Sequence, residues 1–230
     1  MFRKDRVYLA GLAGVLLLAA PGQAAIISDY PFTADSFASA DTEPITTSLH
    51  LGLGAGITAT VANGSVLRIA HSQFGTSNSL AAALAADDYF GFTVQIPNTH
   101  WLDLVSLAFD VQQNNPQAAN VTDVWVFGDQ EAFAAGNELL WIRKGQTVPL
   151  GAGWTNHSID LSLESLYQDL TNENVQFRFY ISVNNSSGSR YVEFDNIVLN
   201  GSLTLIPEPA TLGLMALGGA GLLLLRRRRR

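Results

Sequence analysis

The sequence contains no cysteine. This absence excludes disulfide bonds, thiolate metal sites and a cysteine nucleophile. A chain that cannot be cross-linked needs a hydrophobic core of its own. Its 230 residues are enough for one domain that buries such a core.

Basic residues are scarce in the middle of the chain. Charged residues make up only 14% of the sequence, and eight of the 13 lysines and arginines lie at its two ends. Between Ala25 and Ile206, five basic residues stand against 18 acidic ones, which gives this stretch a net charge of −13. Because a body this acidic repels phosphate backbones, we expect no nucleic-acid partner.

Residues 1–24 have the pattern of a secretory signal peptide. Three basic residues precede a short apolar run, which Pro21 interrupts just before the small residues Gly22 and Ala24. Signal peptidase requires small side chains at these two positions, so we predict export through the Sec translocon and cleavage before Ala25. The alternative is an uncleaved helical anchor, although the apolar run is short for a membrane span.

Residues 206–230 combine three features in a fixed order. Pro207, Glu208 and Pro209 come first, and the uncharged stretch Thr211–Leu225 follows. The chain then closes with Arg226, Arg227, Arg228, Arg229 and Arg230. A helix over 210–225 is ~24 Å long, and arginine side chains can reach the interface of a ~30 Å hydrocarbon layer. We predict a transmembrane helix with the arginine cluster retained on the cytoplasmic side.

This tail resembles the PEP-CTERM sorting domain, whose proteins are substrates of exosortases in Gram-negative bacteria that make extracellular polysaccharide. The resemblance implies that an exosortase reads Pro207, Glu208 and Pro209 and removes the tail. It also implies a transient stay in the inner membrane before the protein reaches the cell surface or the medium. A permanent single-pass tail anchor is the alternative.

The stretch 25–205 is dominated by strand patterns. From Val175 to Val183 apolar and polar residues alternate with a period of two, which a helix cannot satisfy. Further strands are predicted over 65–70, 89–96, 102–111, 121–127 and 191–199, with a bulge near Val105 and Ser106. A helical turn is expected over 81–86, and a short helix is possible over Leu161–Leu170. Many short strands without βαβ alternation predict an all-β fold, an antiparallel two-sheet sandwich.

The order of these segments is similar to the jelly-roll ectodomains often fused to PEP-CTERM tails, which themselves resemble galactose-binding-like and carbohydrate-binding modules. The similarity rests on Tyr30-Pro31-Phe32, on 88–94 and on the closing segment 194–201. It implies a structural calcium ion near Asp195 on the last strand, with Asp29 and Asp35 as further oxygen ligands. Calcium accepts six to eight oxygens in flexible geometry. The alternative for Asp195 is a carboxylate that accepts backbone N–H groups. No other cofactor is expected.

Four tryptophans are candidates for stacking on sugar rings, although most tryptophans in sandwiches belong to the core. Trp154 follows Gly151 and Gly153 in a loop-like stretch, so it is the candidate for extracellular polysaccharide binding.

No catalytic constellation is visible in the sequence. Asp87 and Asp88 form the only adjacent acidic pair, and neighbours on a strand point to opposite faces. There is no Gly-x-Ser-x-Gly elbow, and the four histidines lack metal-ligand spacing, which favours surface or loop positions for them.

We therefore expect a non-enzymatic surface or matrix protein associated with exopolysaccharide or biofilm. Two other functions stay open. The body could be an adhesin that resembles a carbohydrate-binding module, or a small glycan-active hydrolase.

Overall fold

Alternating apolar and polar residues form the strands of the computed structural model, which describes residues 25–33, 36–41, 43–62, 64–74, 79–114, 121–144, 153–184 and 190–206. Within these ranges the chain forms one α-helix, α1 (Leu80–Ala86), and twelve strands. The strands are β1 (Ala25–Tyr30), β2 (Thr47–Ser48), β3 (Gly52–Leu53), β4 (Ala59–Ala62), β5 (Val66–Ala70), β6 (Tyr89–Gln95), β7 (His100–Asn114), β8 (Thr122–Gly128), β9 (Leu140–Lys144), β10 (Thr155–Asp160), β11 (Asn174–Val183) and β12 (Tyr191–Leu205).

The strands pair into two antiparallel sheets. Sheet A has the order β10–β7–β12–β5–β4, and β1 also pairs with β12. Sheet B has the order β2–β6–β11–β8–β9, and β3 also pairs with β6. The chain passes between the sheets at every connection except β2–β3, β4–β5 and β8–β9. This architecture confirms the predicted all-β sandwich.

Aromatic rings fill the space between the two sheets. Phe90 stacks on Phe179 with 4.6 Å between ring centroids, and Phe109 meets Phe179 edge-on at 5.0 Å. Phe194 closes the group from β12, with its ring centroid 4.7 Å from that of Phe90. All four side chains are fully buried. Since truncation of such a side chain to alanine costs about 3–5 kcal/mol, this layer supplies the cohesion that disulfides cannot.

A second apolar cluster covers part of the outer face of sheet B. The helix α1 begins after Ser79, whose Oγ accepts the amide of Ala82, and it ends at Asp87 in the left-handed region. Its apolar side packs against Trp125 and Tyr180. This helix confirms the helical turn predicted for 81–86. Its cover explains why every residue of β8 is buried, on both faces of the strand.

Strand β12 lies in the middle of sheet A. It pairs with β7 along its whole length, and with β5 and then β1 on its other side. The register against β7 shifts twice, and the second shift skips Val105 on β7, which confirms the bulge predicted near Val105 and Ser106. Past the end of β12, the amide of Ile206 still donates to the carbonyl of Thr99 at 2.9 Å.

The helix predicted over Leu161–Leu170 is wrong. This segment contains only the short 3₁₀ turn Ser165–Tyr167. The amide of Leu161 donates to a carbonyl of β7 at 2.9 Å, and Leu170 exchanges two backbone hydrogen bonds with Leu102, also on β7. Both ends of the segment are thus tied to sheet A, and their amides are not available for helical hydrogen bonds.

Several predicted features lie outside the described residues. These are the signal peptide with Gly22 and Ala24, the Pro207–Pro209 motif, the predicted transmembrane helix, the arginine cluster 226–230 and Asp35. In the part of the chain that the structure describes, no helix is long and apolar enough to cross a bilayer.

Candidate functional site

The four tryptophans differ in position and in exposure. Trp154, the residue predicted to bind sugar, lies just before β10 and is 40% exposed. Trp101 at the start of β7 is 37% exposed, whereas Trp125 on β8 is buried beneath α1. Trp141 on β9 is the most exposed of the four, at 56%. Sequence reasoning missed its exposure because β9 was not recognised as a strand.

Trp141 is held in place by its neighbours on the outer face of sheet B. Its indole Nε1 donates to Oδ1 of Asp123 on β8 at 3.3 Å. The same carboxylate accepts Arg143 Nε at 2.7 Å and Nη2 at 2.9 Å. The guanidinium carbon of Arg143 lies 5.3 Å from the centre of the Trp141 ring, within cation–π range. Asp123 is fully buried and therefore serves as a fixed anchor for both side chains.

The structure brings two of the three predicted calcium ligands together on the outer face of sheet A. Asp29 pairs with Val198 on β12, next to the bulge that follows Asp195. Burial raises the pKa of Asp195, and the negative charges of Asp110 and Asp29 raise it further. The pKa of Asp29 is also raised by burial.

Amide groups complete this surface. Asp195 Oδ1 accepts the backbone N–H of Asn196 at 2.8 Å, and Asn196 and Asn156 both donate to the carboxylate of Asp110. Asp195 thus accepts a backbone N–H, which was the alternative to a calcium ligand. Within the described ranges, no group of three histidine, aspartate or glutamate side chains is arranged to hold a metal ion. The calcium site, which includes Asp35, stays a prediction.

The histidines are not all at the surface. His71 is fully buried, and its Nε2 lies 3.1 Å from the hydroxyl of Thr122, so it links the end of β5 to β8. This residue lies in a connection, as expected, but not at the surface. The ring of His157 on β10 is partly covered by Phe109, with 5.6 Å between centroids. The alternation of residues along β5 does not predict this burial of His71, because His71 lies just past the end of that strand.

The Asp87-Asp88 pair is divided, but not by alternation along a strand, since both residues precede β6. Asp87 caps α1 and is exposed, while Asp88 is almost fully buried. Burial raises the pKa of Asp88, and the charge of Asp87 adds to the effect. The two carboxylates therefore do not face a common cleft.

An acidic cleft of about 480 Å³ opens where the edge strands β9 and β10 approach each other. Its four carboxylates come from two segments: Glu131 and Glu138 from the β8–β9 connection, and Asp160 and Glu164 from the end of β10 and the residues after it. Tyr167 donates from its hydroxyl to Glu131 Oε2 at 3.2 Å. Gly128 permits this position, since a Cβ there would collide with the Tyr167 hydroxyl.

The acidic groups of this cleft differ in their pKa values. Burial raises the pKa of Glu131, against the opposing hydrogen bond from Tyr167, and the charge of Glu164 raises it further. Two hydrogen bonds from Ser162 lower the pKa of Asp160. Sequence reasoning did not find this cleft, because no local pattern joins its two acidic segments.

Comparison with solved structures finds remote similarities to several proteins. The K3 adhesin domain of Lys-gingipain from Porphyromonas gingivalis is 15% identical, covers 76% of this chain and 98% of its own, and has a TM-score of 0.39. SGBP-B from a xyloglucan utilization locus of Bacteroides uniformis is 14% identical over 79% of this chain and 49% of its own, with a TM-score of 0.27.

A Clostridium thermocellum endo-1,4-β-D-xylanase 10B structure, containing CBM22-1 and GH10 modules with xylohexaose, is 11% identical. The match covers 81% of this chain and 30% of the xylanase chain, with a TM-score of 0.30. At these TM-scores the likenesses support no conclusion about ligand or activity. No curated protein matches the chain in sequence.

The C-terminal tail gives a specific result. Residues 205–230 match the family model of the PEP-CTERM protein-sorting motif. This confirms the resemblance read from Pro207, Glu208, Pro209 and the arginine cluster. The chain therefore carries a PEP-CTERM sorting motif and is an exported protein whose processing partner is an exosortase.

Proposed function

We propose that the protein is a non-enzymatic component of the cell surface or extracellular matrix, associated with the polysaccharide that its host exports. The sorting motif at 205–230 is the observation that carries this proposal, because it directs the chain to the envelope. The net charge of −13 over 25–206 suits a body that stays soluble outside the cell.

The junction between body and tail fits this function. Pro207 follows directly after Ile206, whose amide makes the last described backbone hydrogen bond to the sandwich. The tripeptide Pro207–Pro209 thus begins two residues after the end of β12. Removal of the tail after this point leaves every described strand intact.

The first test is the intact mass of the protein recovered from outside its host's cells. We expect a mass that ends near 207–209, and retention of the full tail by a Glu208→Ala variant. A wild-type protein that still carries 211–230 outside the cell would contradict exosortase processing and make the tail a permanent anchor.

A second candidate function is carbohydrate binding by the body, so that the protein acts as an adhesin. Two exposed indoles, those of Trp154 and Trp141, favour it, because aromatic side chains offer rigid contact area for sugar C–H faces. Pull-down on the host's polysaccharide tests this candidate. In that assay, Trp154→Ala tests the residue predicted from the sequence, and unchanged retention would reject its role.

A glycan hydrolase is the least supported function. The acidic cleft does contain carboxyl groups with raised and lowered pKa values, a pattern seen in acid–base pairs. Its described lining contains no aromatic side chain on which a sugar could stack. We expect no release of reducing sugar from the host's polysaccharide. Release that is lost in Glu131→Gln would overturn the non-enzymatic proposal.

A further inference from the structure

The outer face of β9 presents an aromatic ring that is both exposed and fixed. Along this strand Leu140 and Ile142 pack towards the core, and Trp141 and Arg143 point outward. More than half of the Trp141 surface is open to solvent. Because most of this ring is exposed, burial of apolar surface stabilises its position only in part. Its outward orientation therefore needs another explanation.

Asp123 supplies that orientation. Its carboxylate receives the indole N–H of Trp141 and two N–H groups of Arg143, all on the same face of sheet B. Asp123 is fully buried on β8, so its carboxylate stays in place when the exposed side chains of Trp141 and Arg143 move. The ring is thus held before any ligand arrives, and a ligand that stacks on it avoids much of the entropy cost of ordering it.

The charges at this face restrict the ligand. The carboxylate of Asp123 and the guanidinium of Arg143 form an ion pair and neutralise each other. The surrounding body carries a net charge of −13, which repels polyanionic chains such as uronate-rich glycans. A neutral sugar ring is not repelled by this charge, and its C–H face matches the indole plane.

We infer that the outer face of β9 is a binding site for a neutral polysaccharide, with one sugar ring stacked on Trp141 and with Asp123 and Arg143 as positioning residues. The inference rests on the carbohydrate-binding function proposed above and names its ligand class and its main contact. It is independent of Trp154, which lies on the other sheet beside β10.

A competing explanation is purely structural. β9 is the edge of sheet B, and a bulky side chain on an edge strand can hinder pairing with another molecule. In that case the loss of Trp141 would promote self-association without any effect on glycan binding.

Native gel electrophoresis of the protein recovered from the host's surface separates these explanations. The gels contain either the neutral or the acidic fraction of the host's own exopolysaccharide, separated by anion exchange. We expect the neutral fraction to retard the wild type, and Trp141→Ala to lose about tenfold in affinity. Trp141→Phe should keep part of the binding, and Trp101→Ala is the matched control on the other sheet.

Each outcome decides a different point. A wild type that neither fraction retards would overturn carbohydrate binding and, with it, this inference. Retardation that Trp141→Ala leaves unchanged would overturn this inference and leave the binding function standing. Retardation by the acidic fraction alone would overturn the neutral ligand class. A tryptophan fluorescence shift with the neutral fraction, absent in a folded Trp141→Ala, would support stacking directly.

Discussion

Asp123 and Arg143 lie directly opposite each other on β8 and β9, and the buried carboxylate accepts both Nε and Nη2 of the half-exposed guanidinium. The two hydrogen bonds to Asp123 raise the pKa of Arg143, and the negative charge of Asp123 adds to the effect. The pair joins the edge strand β9 to its neighbour β8. It has one deeply buried partner and one exposed partner, so removal of each side should have unequal consequences.

The first prediction concerns this inequality. Arg143→Met leaves the buried Asp123 carboxylate without its charged partner, which should lower the melting temperature markedly. Asp123→Asn keeps an oxygen acceptor and should lower it less. The double variant should melt above Arg143→Met, because no buried charge is left unpaired. An Arg143→Met protein that melts like the wild type would contradict the assignment of this pair as structural.

The second prediction concerns Gln113 on β7, whose buried side chain points inward, in phase with Phe109 and Val111. Among the described residues, neither its Nε2 nor its Oε1 has a hydrogen-bond partner. An unsatisfied buried amide costs about 1–3 kcal/mol, so Gln113→Met should raise the free energy of unfolding by a similar amount. Urea denaturation measures the change.

The neighbouring residue is the control for that experiment. Gln112 points to the outer face and donates to the buried carboxylate of Glu193 at 2.6 Å. Gln112→Met removes this bond and should destabilise the protein. Equal effects of the two substitutions would show that the inward position of Gln113 carries no penalty.

The third prediction concerns pH. Burial raises the pKa of Asp29, Asp88, Asp129, Glu131 and Asp195. The ordinary pKa values are 3.8 for aspartate and 4.5 for glutamate. At pH values just above these, the folded protein therefore binds more protons than the unfolded chain. Stability should rise as the pH falls from neutral into this window. Weaker self-repulsion of the acidic body acts in the same direction.

Thermal melts at about pH 7 and about pH 5 check this sign. We expect the higher melting temperature at the lower pH, and a smaller difference in an Asp129→Asn variant, which removes one of the shifted groups. A melting temperature that falls steadily over the same interval would show that the raised pKa values do not govern stability.

The fourth prediction concerns calcium at Asp29, Asp35 and Asp195. If the ion binds only the folded state, calcium at 100 times its dissociation constant adds about 2.7 kcal/mol to the free energy of unfolding. The melting temperature should then rise with calcium in the wild type and not in Asp195→Asn. Magnesium, which demands a smaller octahedral site, is the control ion. A melting temperature unmoved by calcium removes the site.

Strands with a strong local signal were predictable. Alternation over 175–183 identifies β11, and the apolar run over 121–127 identifies β8, because a strand buried on both faces has few polar residues. β10 gave no such signal. Its sequence, Thr155–Asp160, is polar, and Ile159 is the only one of its side chains in the buried core. An edge strand of this kind is determined by its partner β7 rather than by its own pattern.

The candidate sites also differ in how far the sequence predicts them. Asp29 and Asp195 were placed together by the resemblance to jelly-roll ectodomains, because β1, which carries Asp29 and pairs with β12, was not predicted as a strand. The exposure of Trp141 could not be predicted, since its strand was not recognised and its orientation depends on Asp123, 18 residues away in the sequence. The acidic cleft depends on tertiary contacts between separate loops. Its residues share no spacing that a sequence could reveal.

The central position of β12 has a mechanical consequence. If the chain is processed near the sorting motif and attached through its new end, the attachment point lies a few residues beyond Leu205, at the end of this strand. A pull on that end acts along β12, whose hydrogen bonds to β7 run perpendicular to the strand. Many bonds of the ladder are then loaded together in shear instead of being opened one after another. A protein tethered in this way can resist drag in flowing water without a single covalent cross-link.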